Sequence, residues 1–350
     1  MKILGIESSC DDTSIALIEI NQDTLQILAE KTASQVDIHA KYGGVIPEIA
    51  GRKHAEYIVP VIEEVLKGQQ KPDAIAVTFG PGLITGLLVG VEAAKTLSYA
   101  WNIPVIPVNH IEGHFYSPEI SKKERTRIAI EYPALALIVS GGHTELAVSR
   151  SEGQYEKIGG TRDDAVGECF DKVAKLLGIP YPGGPMISKL AEHGDGTKIS
   201  FPRPMQHSHD FDMSFSGLKT SVLYWLEKHP ITINSPRHES SDGVYTIEDV
   251  CASVQTAITD VLISKTTSAV DIHKPRTLIL AGGVSANKKL RHELDLLAKK
   301  HALTCRIPEL AYTTDNAAMI AVAGYHRYQA GKIVEWKNLA ADPQSTLYTY

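Results

Sequence analysis

Cysteine is scarce and never paired. The four in 350 residues, Cys10, Cys169, Cys251 and Cys305, include no CxxC pair. That excludes a disulfide frame and reads as reduced thiols in a cytosolic protein. Positive charge is not in excess either. The formal net charge is -6, so bulk charge alone is not how this chain would grip nucleic acid. The N-terminus lacks a basic region followed by an apolar core, and no secretory signal is expected. Long apolar runs are missing, with one apparent exception. Residues 74–91 carry no charge, and Gly82, Gly86 and Gly90 are spaced as in packed membrane helices. Gly80-Pro81-Gly82 interrupts the run after a short strand. A strand, a glycine turn and a closely packed helix are therefore predicted, with no membrane partner and a cytoplasmic location.

What is present is the composition of a globular chain, 43% hydrophobic and 22% charged, with length for one large domain or two ordinary ones. Lys2 to Ile6 and Ser14 to Ile20 are apolar runs around the polar turn 7–13. This predicts a strand, a turn and a strand. The turn is either an ordinary polar hairpin or a place where hydroxyls and N–H groups hold a phosphate. Loop and helix follow over 39–64, a strand over Asp73 to Thr78, and a helix from about Leu83 to Ala100. The second half repeats the plan: Ala134 to Val139, the turn 140–144, and Glu145 to Ser149. Later come Arg276 to Ala281, the turn 282–287, a helix over Lys288 to His301 and a strand over Leu303 to Ile307. The repeat predicts a duplicated α/β unit with glycine turns facing each other across a cleft. Backbone N–H groups at such turns approach a phosphate or ribose, and a helix N-terminus adds partial positive charge.

Between the repeats, Asp163 to Leu177 has helical apolar spacing and ends at Gly178. Asp164, Glu168 and Asp171 are expected on one face, either solvated or accepting hydrogen bonds from a ligand. A loop at 181–185 and another running from Phe211 into a helix follow. The polar stretch 230–243 is read as a mobile surface insertion without a role, and Val250 to Val270 as an amphipathic helix. The expected division is a lobe over 1–116, a charged connector over 117–132 and a second lobe over 133–345, with part of the C-terminal helices packing back on the first. Lys288, Lys289 and Arg291 form one local basic patch.

One stretch carries a sharper chemical signal. Asn109-His110-Ile111-Glu112-Gly113-His114 follows a buried strand over 103–108. Two imidazoles four residues apart point the same way if the chain turns helically, and neutral imidazole suits zinc or iron. The alternative is two surface histidines beside a turn. The motif is not HExxH, because Ile111 stands where a zincin needs its glutamate base, and Glu112 lies off the shared face. Far along the chain, Asp315 opens a helix over Thr313 to Met319. It is either the N-cap or a carboxylate reaching the His pair across the cleft. In the second case His110, His114 and Asp315 make a three-ligand site with open positions.

Ten stretches, in order over nearly the whole chain, resemble one family closely. They are GIESSCDDTS from Gly5, HAKYGGVIPEIAGRKH from His39, GPGLITGLLVG from Gly80, NHIEGH from Asn109 and VSGGHTEL from Val139. The others are DDAVGECFDKVAKLLG from Asp163, YPGGP from Tyr181, FSGLKT from Phe215, AGGVSANKKLR from Ala281 and TTDNAAMIA from Thr313. The family is that of the tRNA N6-adenosine threonylcarbamoyltransferases, once taken for glycoproteases. The resemblance implies an α/β actin-like ATPase fold of two duplicated lobes. It implies transfer of a threonylcarbamoyl group from threonylcarbamoyl-adenylate to the N6 amine of adenosine at position 37, in tRNAs reading codons that begin with adenine, with release of AMP. It implies one divalent metal per chain, Fe2+ or Zn2+, on His110, His114 and Asp315. Ile138, Val139, Ser140, Gly141 and Gly142 would line the adenylate site (also open to ATP, ADP or AMP analogues). Asp171, Gly184 and Asn287 would contact base and ribose, and Ser188 stands where some relatives carry aspartate. Implied partners are tRNA, a shorter paralogous actin-fold subunit and a P-loop ATPase. Two rival readings are a metalloprotease, which the missing HExxH order opposes, and an actin-fold small-molecule kinase, which needs ATP turnover without tRNA. A third, a non-catalytic subunit, is opposed by retention of the His pair and Asp315.

Overall fold

A computed structural model describes residues 1–121 and 125–347. The chain divides into two compact units. The first is Met1–Tyr132, Ser149–Glu156 and Pro308–Tyr350; the second is Pro133–Val148 and Lys157–Ile307.

Unit 1 is built on β1 (Lys2–Glu7), β2 (Asp12–Ile20) and β3 (Leu25–Ser34), then the short α1 (Val36–Ala40), α2 (Pro47–Leu66), β4 (Ala74–Gly80), α3 (Ile84–Trp101), β5 (Val105–Asn109) and α4 (His110–Tyr116). The sheet order is β3-β2-β1-β4-β5. β1 pairs antiparallel with β2 and parallel with β4, and β4 pairs parallel with β5. Such a sheet is covered on both faces, which is why β1, β4 and most of β2 read as apolar runs instead of alternating.

Unit 2 repeats the plan with β6 (Ala134–Val139), β7 (Thr144–Ser151), β8 (Gln154–Gly160), α5 (Val166–Leu176), α6 (Gly183–Ala191), α7 (Ser216–Lys228), the hairpin β9 (Arg237–Ser240) and β10 (Gly243–Thr246), α8 (Ile247–His273), β11 (Thr277–Ala281), α9 (Lys288–Lys300) and β12 (Thr304–Arg306). Its sheet order, β12-β11-β6-β7-β8, is the first sheet's order traced from the opposite edge. The duplicated α/β architecture is thus present in both units.

After β12 the chain returns to unit 1 as α10 (Ala317–Gln329). Residues Ala317 to Arg327 are all buried, and the helix packs on β1, β2, β4 and β5. Gly5 permits this: a Cβ there would lie 2.1 Å from the carbonyl oxygen of Ala317.

Several expectations differ from the structure. Each unit has a third hairpin strand, β3 or β8, that the apolar pattern did not announce, because both are largely half-buried or exposed. The second unit ends at Ile307, not 345, because the segment from Pro308 onward covers the first sheet. The connector begins as a buried turn, Ser117–Glu119, and not as solvated chain. Lys122, Lys123 and Glu124 lie outside the described residues. The stretch expected as a mobile insertion carries the β9–β10 hairpin, with Tyr245 edge-on to Trp225, whose ring stacks on His229. Asp164 precedes α5, whose N-cap is the extended Ala165, so the three acidic groups do not share one helix. Among the described residues, no helix is long and apolar enough to cross a membrane.

Candidate metal and nucleotide sites

The His pair stands on an abrupt strand-to-helix junction in unit 1. β5 ends at Asn109 and α4 begins at His110. Asn109 is the N-cap, its side chain accepting from Ile111 N at 2.9 Å. The turn is helical, so the two imidazoles lie on one face, with ring centroids 4.7 Å apart. Asp315 sits in the loop before α10. The cap of α10 is Asn316, which accepts from Met319 N at 2.9 Å, so Asp315 is not consumed as a cap. Its Oδ1 lies 3.4 Å from His110 Nε2 and 3.2 Å from His114 Nε2. One potential ligand atom from each of the three residues lies within 4.8 Å of the other two.

The donor chemistry fits a divalent cation. Both ring nitrogens of the buried His114 lack a well-aligned hydrogen-bond partner, an arrangement that native cores rarely tolerate. His110 is held from behind. Its Nδ1 lies 3.0 Å from Glu7 Oε2 and 3.1 Å from Ser9 Oγ. A carboxylate accepting from Nδ1–H leaves Nε2 as the lone-pair atom, the orientation found in carboxylate–histidine–metal triads. Glu7 is fully buried and is itself fixed by Ser9 N at 2.6 Å and Thr78 Oγ1 at 2.6 Å.

The electrostatics agree. Burial alone would lower the His110 pKa, but Asp315 and Glu7 outweigh it and hold the group well above its ordinary value. Burial, with the His110 charge beside it, lowers His114. Burial would raise Asp315, but the two imidazoles hold it well below the usual carboxylate range. Positive charge is therefore favoured on His110 between Glu7 and Asp315, and a metal bound there would displace the His110 proton.

The remaining candidates all lie in unit 2: Ile138 to Gly142 and Asn287 at or past the carboxyl ends of the adjacent strands β6 and β11, and Asp171, Gly184 and Ser188 on α5 and α6. Ile138 pairs with Ala281 where parallel β6 and β11 end. Past Val139, Ser140 Oγ accepts from His143 N at 3.0 Å and Ser140 O from Gly167 N at 3.1 Å. That closes the turn and leaves Gly141 and Gly142 exposed. Ligands of open α/β sheets bind at such strand ends. Asp171, raised by burial, accepts from Gly183 N at 2.7 Å and Gly184 N at 3.3 Å, and so anchors the start of α6. Asn287 caps α9 through Leu290 N at 3.0 Å; its Nδ2 reaches Gln255 Oε1 at 2.6 Å and Ser188 Oγ at 3.3 Å. The structure thus brings together Asp171 with Gly184, and Asn287 with Ser188. The other acidic groups of that stretch are neutralised locally, since Lys172 bonds Asp164 at 2.6 Å and Glu168 at 3.0 Å. The basic patch is likewise paired in part, Lys288 with Glu192 at 2.8 Å.

Sequence reasoning missed Glu7, Ser9 and Thr78, which it left in a polar turn and a strand. The usable signal was an acidic residue ending an otherwise apolar buried strand.

The model of one family, TsaD: tRNA N6-adenosine threonylcarbamoyltransferase, matches residues 26–322. A tRNA N6-adenosine threonylcarbamoyltransferase of Geotalea uraniireducens is 46% identical over 347 residues, covering 98% of this chain and 96% of the relative. Its counterpart in Carboxydothermus hydrogenoformans is 45% identical, covering 99% and 97%. That of Bacillus cereus is 45% identical, covering 94% and 92%.

Proposed function

The chain belongs to the tRNA N6-adenosine threonylcarbamoyltransferase family, and on that premise we propose that it transfers a threonylcarbamoyl group from threonylcarbamoyl-adenylate to the N6 amine of adenosine 37 in tRNA. The observation that supports this reading is the convergence of the buried His110 and His114 with the half-buried Asp315, His114 having no well-aligned hydrogen-bond partner for either ring nitrogen, in a chain matched over nearly its full length.

His110, His114 and Asp315 hold one Fe2+ or Zn2+. When bound, that ion supplies Lewis acidity and a template for substrate oxygens. Glu7 fixes the His110 tautomer. In unit 2, the Ser140–Gly142 turn takes the adenylate, with Asp171 and Gly184 at the start of α6 and Asn287 and Ser188 beside α9. In the reaction the N6 nitrogen bonds to the carbamoyl carbon, the carbon–oxygen bond to phosphate breaks, N6 loses a proton, and AMP leaves. Turn amides and helix N-termini stabilise the charge on the departing phosphate. With a net charge of -6, tRNA affinity rests on partner subunits, a shorter actin-fold paralogue and a P-loop ATPase, or on local patches such as Lys288, Lys289 and Arg291.

The protease reading lacks a glutamate placed as HExxH requires. The test is nucleoside mass spectrometry of tRNA from cells depleted of this protein. Threonylcarbamoyladenosine should vanish and return with the wild-type chain, but not with a folded Asp315→Ala chain. Persistence of the nucleoside in cells with no second copy would overturn the transferase reading. Full restoration by Asp315→Ala would overturn the ligand set.

A further inference from the structure

Helix α4 carries both imidazoles yet is only seven residues long. A helix of that length has no stability of its own in water, so its orientation must come from what surrounds it. Its other face is unusual. Glu112 is 2% exposed, and its Oε2 lies 3.1 Å from Arg327 Nη1. Arg327, 7% exposed, stands on α10, the helix that follows Asp315. The Tyr155 hydroxyl lies 3.1 Å from Glu112 Oε1 and 3.0 Å from the Tyr116 hydroxyl. Between the two faces, Gly113 lets α4 approach α10 closely, since a Cβ there would lie 2.7 Å from Ile320 Cδ1.

We propose that the Glu112–Arg327 ion pair is a positioning device for the metal site, an inference that rests on the metal reading above. It joins the helix that bears two ligands to the helix that follows the third. A buried pair of this kind adds little net stability compared with an apolar pair of similar volume. What it adds is direction. Apolar packing tolerates a turn of α4 about its axis, whereas the charged hydrogen bond does not. Rotating a helix by about 20° moves a side-chain tip at a radius of about 5 Å by about 2 Å. Metal–ligand distances tolerate about 0.2 Å. Loss of the pair therefore spoils the site before it spoils the fold.

The experiment uses the full chain and Co2+ as a coloured probe. Titration gives an affinity, the visible bands report coordination geometry, and a thermal melt is run alongside. Wild type and His114→Ala set the reference: if both bind Co2+ alike, the metal reading itself falls and the pair has nothing to position. With that reference intact, Arg327→Met should bind Co2+ about 10–100-fold more weakly, with shifted bands, and Arg327→Lys should recover most of the affinity. Wild-type affinity and bands in Arg327→Met would overturn the proposal. Should Arg327→Met fail to fold, the apolar pair Glu112→Leu/Arg327→Met, which orphans no charge, is read by the same two outcomes.

Discussion

At the scale of single residues, the informative side chain is Glu7. It never faces the ligand position, but it lies 3.0 Å from His110 Nδ1 across 103 residues of sequence. No spacing rule connects residues so far apart, so this partner was not legible, while the His110–His114 pair was. Asp315 was legible only as one of two alternatives, since a carboxylate before a helix is usually a cap. The structure separates the roles by giving the cap to Asn316. Burial would raise the Glu7 pKa, but the adjoining His110 outweighs it and keeps the group below its ordinary value. Glu7→Gln preserves volume and removes the charge that orients and polarises the ring. Affinity for Zn2+, measured by competition with a chelator, should drop about 10–100-fold while the protein stays folded. Unchanged affinity would show that Glu7 serves the strand and not the metal.

At the scale of elements, the site exists because α10 lies directly on the first sheet. Gly5 on β1 is the contact that sets its height: the atom a Cβ would strike is the backbone oxygen of Ala317, two residues past Asp315. Backbone cannot rotate away as a side chain would. Gly5→Ala should therefore lift the start of α10, cost about 1–3 kcal/mol in urea unfolding and weaken metal binding together. A loss of stability with metal affinity intact would mean that the helix moves as a whole and the ligand loop follows. The same element shows what the sequence hid. The apolar strands and the glycine turns were readable because burial on both faces leaves continuous apolar runs. β3 and β8 were not, because edge strands carry mixed polar residues. The helix expected from Asp163 begins only at Val166, since Asp163 binds instead to Ser214, Phe215, and Ser216 at the start of α7. A remote partner outcompeted the local period.

At the scale of the whole molecule, two units share one topology, with the His110–His114–Asp315 cluster in the first and the Ser140–Gly142 turn in the second. The returning C-terminal segment gives the first unit a second charged cluster, at the far end of α10. His326 is 4% exposed and stacks on Tyr116, with ring centroids 3.9 Å apart. Its Nε2 lies 3.1 Å from Glu119 Oε2, and its Nδ1 bonds Glu152. Only the imidazolium donates from both nitrogens. Burial would lower its pKa, but Glu119 and Glu152 outweigh burial and raise it above 6.5. Glu152 is lowered from 4.5, first by its hydrogen bond from His326. The signs follow from linkage. A raised histidine contributes stability that is fully present below its unfolded value and is lost as pH climbs through its folded value. A lowered glutamate contributes stability that is present above its unfolded value and is lost as pH falls through its folded one. The pair therefore contributes most between about pH 4.5 and 6.5. Urea unfolding of wild type and His326→Gln across pH should show a gap that is widest in that window and narrows toward pH 9. A gap that stays constant to pH 9 would mean that the stacked ring, and not its charge, holds the end of α10.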